Sequence, residues 1–336
     1  MSVETLEYTA KDFSSDQEVK WCPGCGDYAI LKAVQKAMPL IGRNKEDIVF
    51  VSGIGCSSRF PYYMDSFGFH SIHGRAPAIA TGVKLANPDL SVWQITGDGD
   101  ALAIGGNHFI HLIRRNVSIN MLLFNNRIYG LTKGQFSPTT NLGQTTKSSP
   151  EGTIDNPFNP GELVLGANGK FFARVADTSL KAMTAIFVEA EKHQGASIIE
   201  IMQNCVIFNK DIFSEYTGKD VKLDNQIYVE HGKPMIFGSE SNKGLVLNGF
   251  KLEVVTIGED GVSEEDLLIH DAHEEDSTLH MMLTKLQMPL VTGVIRSFAD
   301  DSFEVRMKRQ VEAIEKKSPF KSVNDLLKSG ETWEIS

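Results

Sequence analysis

Residues 90–126 read LSVWQITGDGDALAIGGNHFIHLIRRNVSINMLLFNN. The run through SVWQIT has the length and apolar density of a buried strand, and it ends in Gly97-Asp98-Gly99-Asp100. ALAIGGNHFIHLIRR then has helical spacing, and INMLLFNN is a second buried strand that ends in Asn125-Asn126. The same alternation continues on both sides. Upstream lie a helix in DYAILKAVQKAM, expected to stop before Pro39, a strand in DIVFVSGIG and a helix in APAIATGVKLA. Downstream, FFARVAD, LKAMTAIFVEAEKH and ASIIEIMQ give strand, helix and strand. Strands alternating with helices predict a doubly wound, mostly parallel α/β sheet. Ligands of such a sheet sit outside the carboxyl ends of its strands, where the glycines are.

Three segments follow from this pattern: an N-terminal arm over 1–20, the α/β domain over 21–225 and a C-terminal extension over 226–336. The extension looks like an appendage. Its run LVLNGFKLEVVTI is two extended segments joined at Asn248-Gly249, a type I′ hairpin signal. Inside the α/β domain, Gly134 to Ala167 is rich in Ser, Thr, Asn, Pro and Gly; a loop of that length predicts a wrapping or lid segment.

Composition narrows the function. A net charge of -10 argues against nucleic-acid binding, which needs a basic surface. No run approaches 18 consecutive apolar residues, and the first residues are acidic and polar, so neither a spanning helix nor a secretory signal is expected. A cytoplasmic protein with no membrane partner is the expectation. Its four cysteines, Cys22, Cys25, Cys56 and Cys205, then suggest metal or redox chemistry rather than disulfides.

Glycines at a strand-to-helix turn let backbone N–H groups approach a phosphate. The Asp98 carboxylate, the Asn126 amide oxygen and the Ile128 carbonyl are hard oxygen ligands suited to Mg²⁺ bridging a diphosphate. The pair, GDG followed after 28 positions by NN, resembles the signature of thiamine-diphosphate enzymes. Cys56 in SGIGCSSRFPYY and Cys205 in MQNCVIFN each follow a predicted strand on the same edge. With the Cys22-Pro23-Gly24-Cys25 pair they form a Cys₄ set beside the cofactor turn. A [4Fe–4S] cluster uses four thiolates; zinc accepts the same ligands, and Cys56 and Cys205 could also be small core residues. A thioredoxin-like disulfide fits poorly, because CPGC precedes the first helix with no strand before it.

CPGCGD, GIGCSSRFPYY, HGRAPAIATG, TGDGDALAIGGNH, FNNRIYGLTKGQFSPT and DNPFNP together resemble the beta subunit of 2-oxoacid:ferredoxin oxidoreductases, most like the 2-oxoglutarate type, over roughly residues 20–230. The resemblance implies one [4Fe–4S] cluster on Cys22, Cys25, Cys56 and Cys205, and Mg²⁺ on Asp98, Asn126 and the Ile128 carbonyl. It places thiamine diphosphate against Ile54, Gly55, Cys56, Ser57, His73, Gly97, Asp98, Gly99, Asp100, Asn126, Gly130 and Leu131. It further implies CoA-dependent oxidative decarboxylation of a 2-oxo acid with electrons passing to ferredoxin, or the reverse. A separate alpha subunit would be an obligate partner, in an alpha-beta or alpha2-beta2 complex, and would supply the carboxylate that bonds the cofactor's aminopyrimidine.

Arg59 and Lys133 are candidates for the substrate carboxylates, since both fall on loops expected to face the cofactor. His73 could bond the cofactor or carry a proton. His108 and His111 read as ordinary helix positions, and HDAHEED, residues 270–276, as a solvated acidic loop. Two other functions compete: a non-oxidative thiamine-diphosphate decarboxylase or synthase, and an electron-transfer subunit without catalysis.

Overall fold

In the computed structural model the described residues are 8–331, 333 and 335, so the first seven residues of the N-terminal arm lie outside them. Eight strands form one sheet. In chain order the strands are β1 (Ile48–Ser52), β2 (Phe67–His70), β3 (Ser91–Gly97), β4 (Asn120–Asn125), β5 (Phe171–Ala176), β6 (Ser197–Met202), β7 (Gln226–Val229), β8 (Ile236–Phe237), β9 (Lys243–Asn248), β10 (Lys251–Thr256) and β11 (Leu290–Ser297). The large sheet runs β2-β1-β3-β4-β6-β5-β11-β7, and β8 to β10 make a separate three-stranded sheet. All pairings in the large sheet are parallel except β11 against β5.

The helices that matter here are α1 (Asp27–Ile41), α2 (Ala76–Ala86), α3 (Asp98–Leu102), α4 (Gly106–Arg115), α5 (Pro160–Gly166) and α6 (Leu180–Lys192). Strand periodicity decides which of them each face meets. In β4, Leu122 and Phe124 face Ile30, Val34 and Met38 of α1 and Phe187 of α6. Met121 and Leu123 face Ala80 of α2 and Phe109 and Leu112 of α4. Both faces are therefore covered, and β4, β5 and β6 are buried along their whole length.

Several local expectations are corrected. The first helix continues through Pro39 to Ile41 and stops at Gly42, whose φ of 74° is left-handed; a proline in the last turn removes only one backbone donor. The helix expected after GDGD is two helices broken at Ala103–Gly105. Gly105 lies so close to the preceding turn that a Cβ there would stand 2.4 Å from the Asp100 carbonyl, so the break needs glycine at that position. The polar stretch ends earlier than expected, because Asn159 accepts a hydrogen bond from the Gly161 N–H and caps α5.

The C-terminal extension is more than an appendage: β7 and β11 complete the large sheet. Its LVTGVIRS segment is buried from Leu290 to Arg296, a continuous apolar run of the kind central strands carry, interrupted at Gly293. A Cβ on Gly293 would meet the Val229 carbonyl at 2.5 Å. The hairpin between β9 and β10 forms, with Gly249-Phe250 rather than Asn248-Gly249 as its two loop residues. Gly249 has φ 61° and Phe250 is not left-handed, so glycine stands first in the turn, the type II′ arrangement. The HDAHEED segment is anchored, not solvated, at its start: His270 is fully buried and its Nε2 lies 2.9 Å from the Val294 carbonyl. Among the described residues no helix is long and apolar enough to cross a membrane.

Candidate active site

Strand order assembles the site. β1, β3, β4 and β6 are consecutive neighbours and parallel, so their carboxyl ends lie side by side on one edge. The segment after β1 carries Cys56, that after β3 carries Asp98 to Asp100, that after β4 carries Asn126 to Leu131, and that after β6 carries Cys205. They enclose a cleft of about 470 Å³ lined by Ile54 to Ser57, His73, Gly97 to Asp100, Asn126 and Ile128 to Thr132, with Asp27, Phe124 and Gln135.

Close backbone approach explains the glycines that matter most. A Cβ on Gly99 would fall 2.2 Å from the Tyr129 ring, whose hydroxyl donates to the Gly99 carbonyl at 2.9 Å. The loop after β3 is thereby locked to the loop after β4. At Gly130, a Cβ would lie 3.6 Å from Cys205 Sγ and 3.7 Å from Cys56 Sγ, so the two sulfurs converge on a residue that also lines the cleft.

The other two cysteines arrive by a turn and a clamp. Cys22-Pro23-Gly24-Cys25 closes through the Cys25 N–H on the Cys22 carbonyl at 3.0 Å, with proline second and Gly24 at φ 82°, a type II turn. Trp21 is buried and donates Nε1–H to the Cys56 carbonyl at 2.7 Å, while the Gly26 N–H donates to the Asn204 carbonyl at 3.2 Å. These bonds tie the CPGC turn to the Cys56 and Cys205 loops. Gln203 donates Nε2–H to Cys25 Sγ at 3.2 Å. Burial, then Asp27, pushes the Cys56 thiol up to about 12 and raises Cys25 as well. Among the described residues no three His, Cys, Asp or Glu side chains are arranged to hold a single metal ion. The CPGC turn is thus held against the two loops whose thiols meet at Gly130, and four free thiols have the donor chemistry of an iron–sulfur or a zinc site.

Asp98 and Asp100 divide their labour. Asp98 is 2 % exposed, and burial raises its pKa while hydrogen bonds from Ser137 and Thr139 oppose that rise. Asp100 is turned to its own chain: Oδ1 accepts from His73 Nδ1 at 2.6 Å, the Gly74 N–H at 2.8 Å and the Ile54 N–H at 3.1 Å, and Oδ2 accepts from Thr96 at 2.7 Å. It fixes the loops rather than offering a free carboxylate. His73, with Nδ1–H on Asp100, keeps Nε2 as the acceptor available at the cleft. The Asn126 side-chain oxygen accepts from the Ile128 N–H at 3.1 Å, and Arg127 between them is held at φ 56°, a strained conformation for a non-glycine residue. Among the described residues no backbone donor is paired with the Ile128 carbonyl, which leaves it able to ligate. Buried Asp98, this turn and a glycine-lined floor fit a divalent cation bridging a diphosphate.

Two expected residues are not brought in. Arg59 donates Nε–H to the Tyr63 hydroxyl at 3.0 Å, Lys133 is exposed with φ 76°, and neither lines the cleft. Arg59 lies in the helical turn Ser57–Tyr63, and the Lys133 N–H closes a tight turn on the Gly130 carbonyl. Sequence reasoning missed Asp27, Tyr129, Ser137 and Thr139. Asp27 is 2 % exposed, lines the cleft and is pushed up to about 7 by burial. Beneath the site, Arg174 donates Nε–H to Glu200 at 2.7 Å, and Asn125 Nδ2 donates to the other Glu200 oxygen at 2.8 Å. Arg174→Met should cost about 3–5 kcal/mol in denaturant unfolding by leaving Glu200 buried and unpaired, and replacing both by apolar residues should cost less. An equal loss in the double variant would count against that cause.

A family model for the C-terminal thiamine-pyrophosphate-binding domain of thiamine pyrophosphate enzymes matches residues 53–201. Over 331 residues, 97% of this chain and 88% of the relative, the sequence is 47% identical to the 2-oxoglutarate oxidoreductase subunit KorB of Mycobacterium tuberculosis. It is 44% identical over 207 residues, 61% of this chain and 68% of the relative, to a 2-oxoacid:ferredoxin oxidoreductase subunit beta of Saccharolobus solfataricus. A chain of the 2-oxoglutarate:ferredoxin oxidoreductase from Magnetococcus marinus, solved with 2-oxoglutarate, coenzyme A and succinyl-CoA bound, superposes with a TM-score of 0.78 at 29% identity, covering 98% of both chains.

Proposed function

The chain belongs to the beta subunits of the 2-oxoacid:ferredoxin oxidoreductases, and from that premise we propose how its residues serve a 2-oxoglutarate-type enzyme. The observation that carries the reading is the meeting of four loops on consecutive parallel strands, with Gly130 between the cleft and two thiols. Asp98, Asn126 and the Ile128 carbonyl hold Mg²⁺ on the diphosphate of thiamine diphosphate. Cys22, Cys25, Cys56 and Cys205 hold one [4Fe–4S] cluster. When bound, the thiazolium ring supplies the electron sink for decarboxylation and the cluster a one-electron route onward to ferredoxin.

The chain's own groups shape the cleft. Asp100 holds His73 in the tautomer that leaves Nε2 free to accept a proton at the cleft. Tyr129 and the Gly97–Gly99 turn keep the floor narrow and backbone-lined. Phe124 is buried and gives the cleft an apolar back wall, while Ile54 and Leu131 stand exposed at its rim. Because the lining of the cleft contains neither lysine nor arginine, the carboxylates of a 2-oxo dicarboxylate are met mainly by a separate alpha subunit. CoA accepts the acyl group in the same enzyme.

The test is the assembled complex with a low-potential acceptor: CoA-dependent reduction should require 2-oxoglutarate, with pyruvate a poor substitute. Equal rates on both, or carbon dioxide release without acceptor reduction, would overturn the assignment. Within that assay, Asp98→Asn should raise the Mg²⁺ needed for half-maximal thiamine diphosphate binding by roughly a hundredfold, the scale of losing a charged contact of about 1.5–3 kcal/mol. Unchanged Mg²⁺ dependence would place the cation elsewhere.

A further inference from the structure

The long polar segment after Gly134 reaches back to the metal carboxylate from a distance in sequence. Ser137 Oγ donates to Asp98 Oδ2 at 2.6 Å, and Thr139 Oγ1 lies 2.5 Å from the same oxygen. Thr139 Oγ1 is also 2.9 Å from the Asn125 side-chain oxygen, in the strand end that leads into Asn126. Thr140 donates to the Arg127 carbonyl at 2.7 Å, and Arg127 in turn donates to Asn141 at 2.9 Å. Ser137, Thr139 and Thr140 are each 2 % exposed, so this part of the segment is packed into the site and is not a loose lid.

We propose that Ser137 and Thr139 are positioning residues for the divalent cation, holding the Asp98 carboxylate through its Oδ2. The inference rests on the metal reading above and extends it to residues in no part of the GDG…NN signature. Thr139 has a single hydroxyl proton and two acceptors within reach. The shorter bond, to a charged oxygen, takes that proton. Both hydroxyls settle on Oδ2, and among the described residues no side chain donates to the other oxygen of Asp98. Asn125, in the strand end that leads into Asn126, is fixed separately by its Nδ2–H on Glu200, itself held by Arg174.

The experiment titrates Mg²⁺ into the assembled oxidoreductase at fixed thiamine diphosphate and reads cofactor binding by calorimetry, independent of turnover. The wild-type protein tests the metal reading: binding that persists unchanged in excess EDTA would remove it. Thr139 tests the proposal: Thr139→Val, which keeps the shape and removes the hydroxyl, should raise half-saturating Mg²⁺ at least tenfold. Thr139→Ser should restore it to within about threefold, because the hydroxyl returns without the methyl. Ser137→Ala should show the same direction and provides the readout if Thr139→Val does not fold, with thermal unfolding in metal-free buffer as the fold control. Wild-type-like Mg²⁺ dependence in Thr139→Val and Ser137→Ala, or a Thr139→Ser protein as impaired as the valine variant, would overturn the positioning role while leaving the metal site standing.

Discussion

Cys205→Ala and Cys56→Ala should each strip the chain of iron and end acceptor reduction, and in Cys205→Ala thiamine diphosphate binding should survive within about threefold. Both sulfurs stand against Gly130, at 3.6 and 3.7 Å from the position of a Cβ there. The chain has four cysteines and all four are free, so no thiol is in reserve when one is removed. A [4Fe–4S] cluster held by three thiolates has lost one of its four iron ligands, and no other thiol of the chain replaces it. Cys205 does not line the cleft and touches neither Asp98, Asn126 nor the glycine turn, which is why the cofactor should remain in that variant. Iron and acid-labile sulfide assays with the visible absorption band give the readout. Full iron content in either variant, or zinc without iron in anaerobically prepared wild-type protein, would sink the cluster assignment.

How much of this was legible depended on how far apart in sequence the partners lie. GDGD and NN could be read directly because each sits where a strand ends, and parallel strands put those ends on one edge. The gathering of Cys56 and Cys205 followed from the same rule, with β1 and β6 flanking β3 and β4. Bonds made across the fold left no periodic trace. Ser137 and Thr139 act on Asp98 from 39 and 41 positions away, inside a stretch whose composition says only that it is irregular. The orientation of Asp100 was hidden for a related reason: an acidic residue in a glycine turn reads as a ligand, and only the fold shows its oxygens taken by Thr96, His73, Gly74 and Ile54. β2 was missed because FGFH is an edge strand with exposed phenylalanines, outside both strand templates. β11 carried the signal of a buried strand, and the glycine at its centre weakened it.

The isolated chain should turn over 2-oxo acids at less than about one hundredth of the rate of the complex, and adding a separate alpha subunit should restore activity. The cleft contains three carboxylates, and each is committed. Asp100 is fully engaged by its own loops, and Asp98 is held by Ser137 and Thr139 facing the diphosphate end. Asp27 is buried beside Cys25 with its pKa raised to about 7 by burial. All three are buried, so the cleft offers no exposed carboxylate of its own to bond an aminopyrimidine. Cations are missing too: no lysine or arginine lines a cleft that is to take a diphosphate and a dicarboxylic acid. Meanwhile large apolar side chains stand exposed on the cleft's segments and the loops beside them, with Ile54 38 %, Leu131 52 %, Ile72 73 % and Ile104 56 % accessible. Exposed apolar surface around a polar cleft marks a protein interface, and obligate interfaces commonly bury more than about 2,000 Å². A partner seated on that rim would close the cleft, supply the pyrimidine carboxylate and bring the cations for substrate. Leu131→Glu and Ile72→Glu, which leave Asp98, Asn126 and the cysteines untouched, should weaken co-purification with the alpha subunit and lower turnover in proportion. Full turnover by the isolated chain, or unchanged association in both rim variants, would show that the second half of the active site lies within these 336 residues after all.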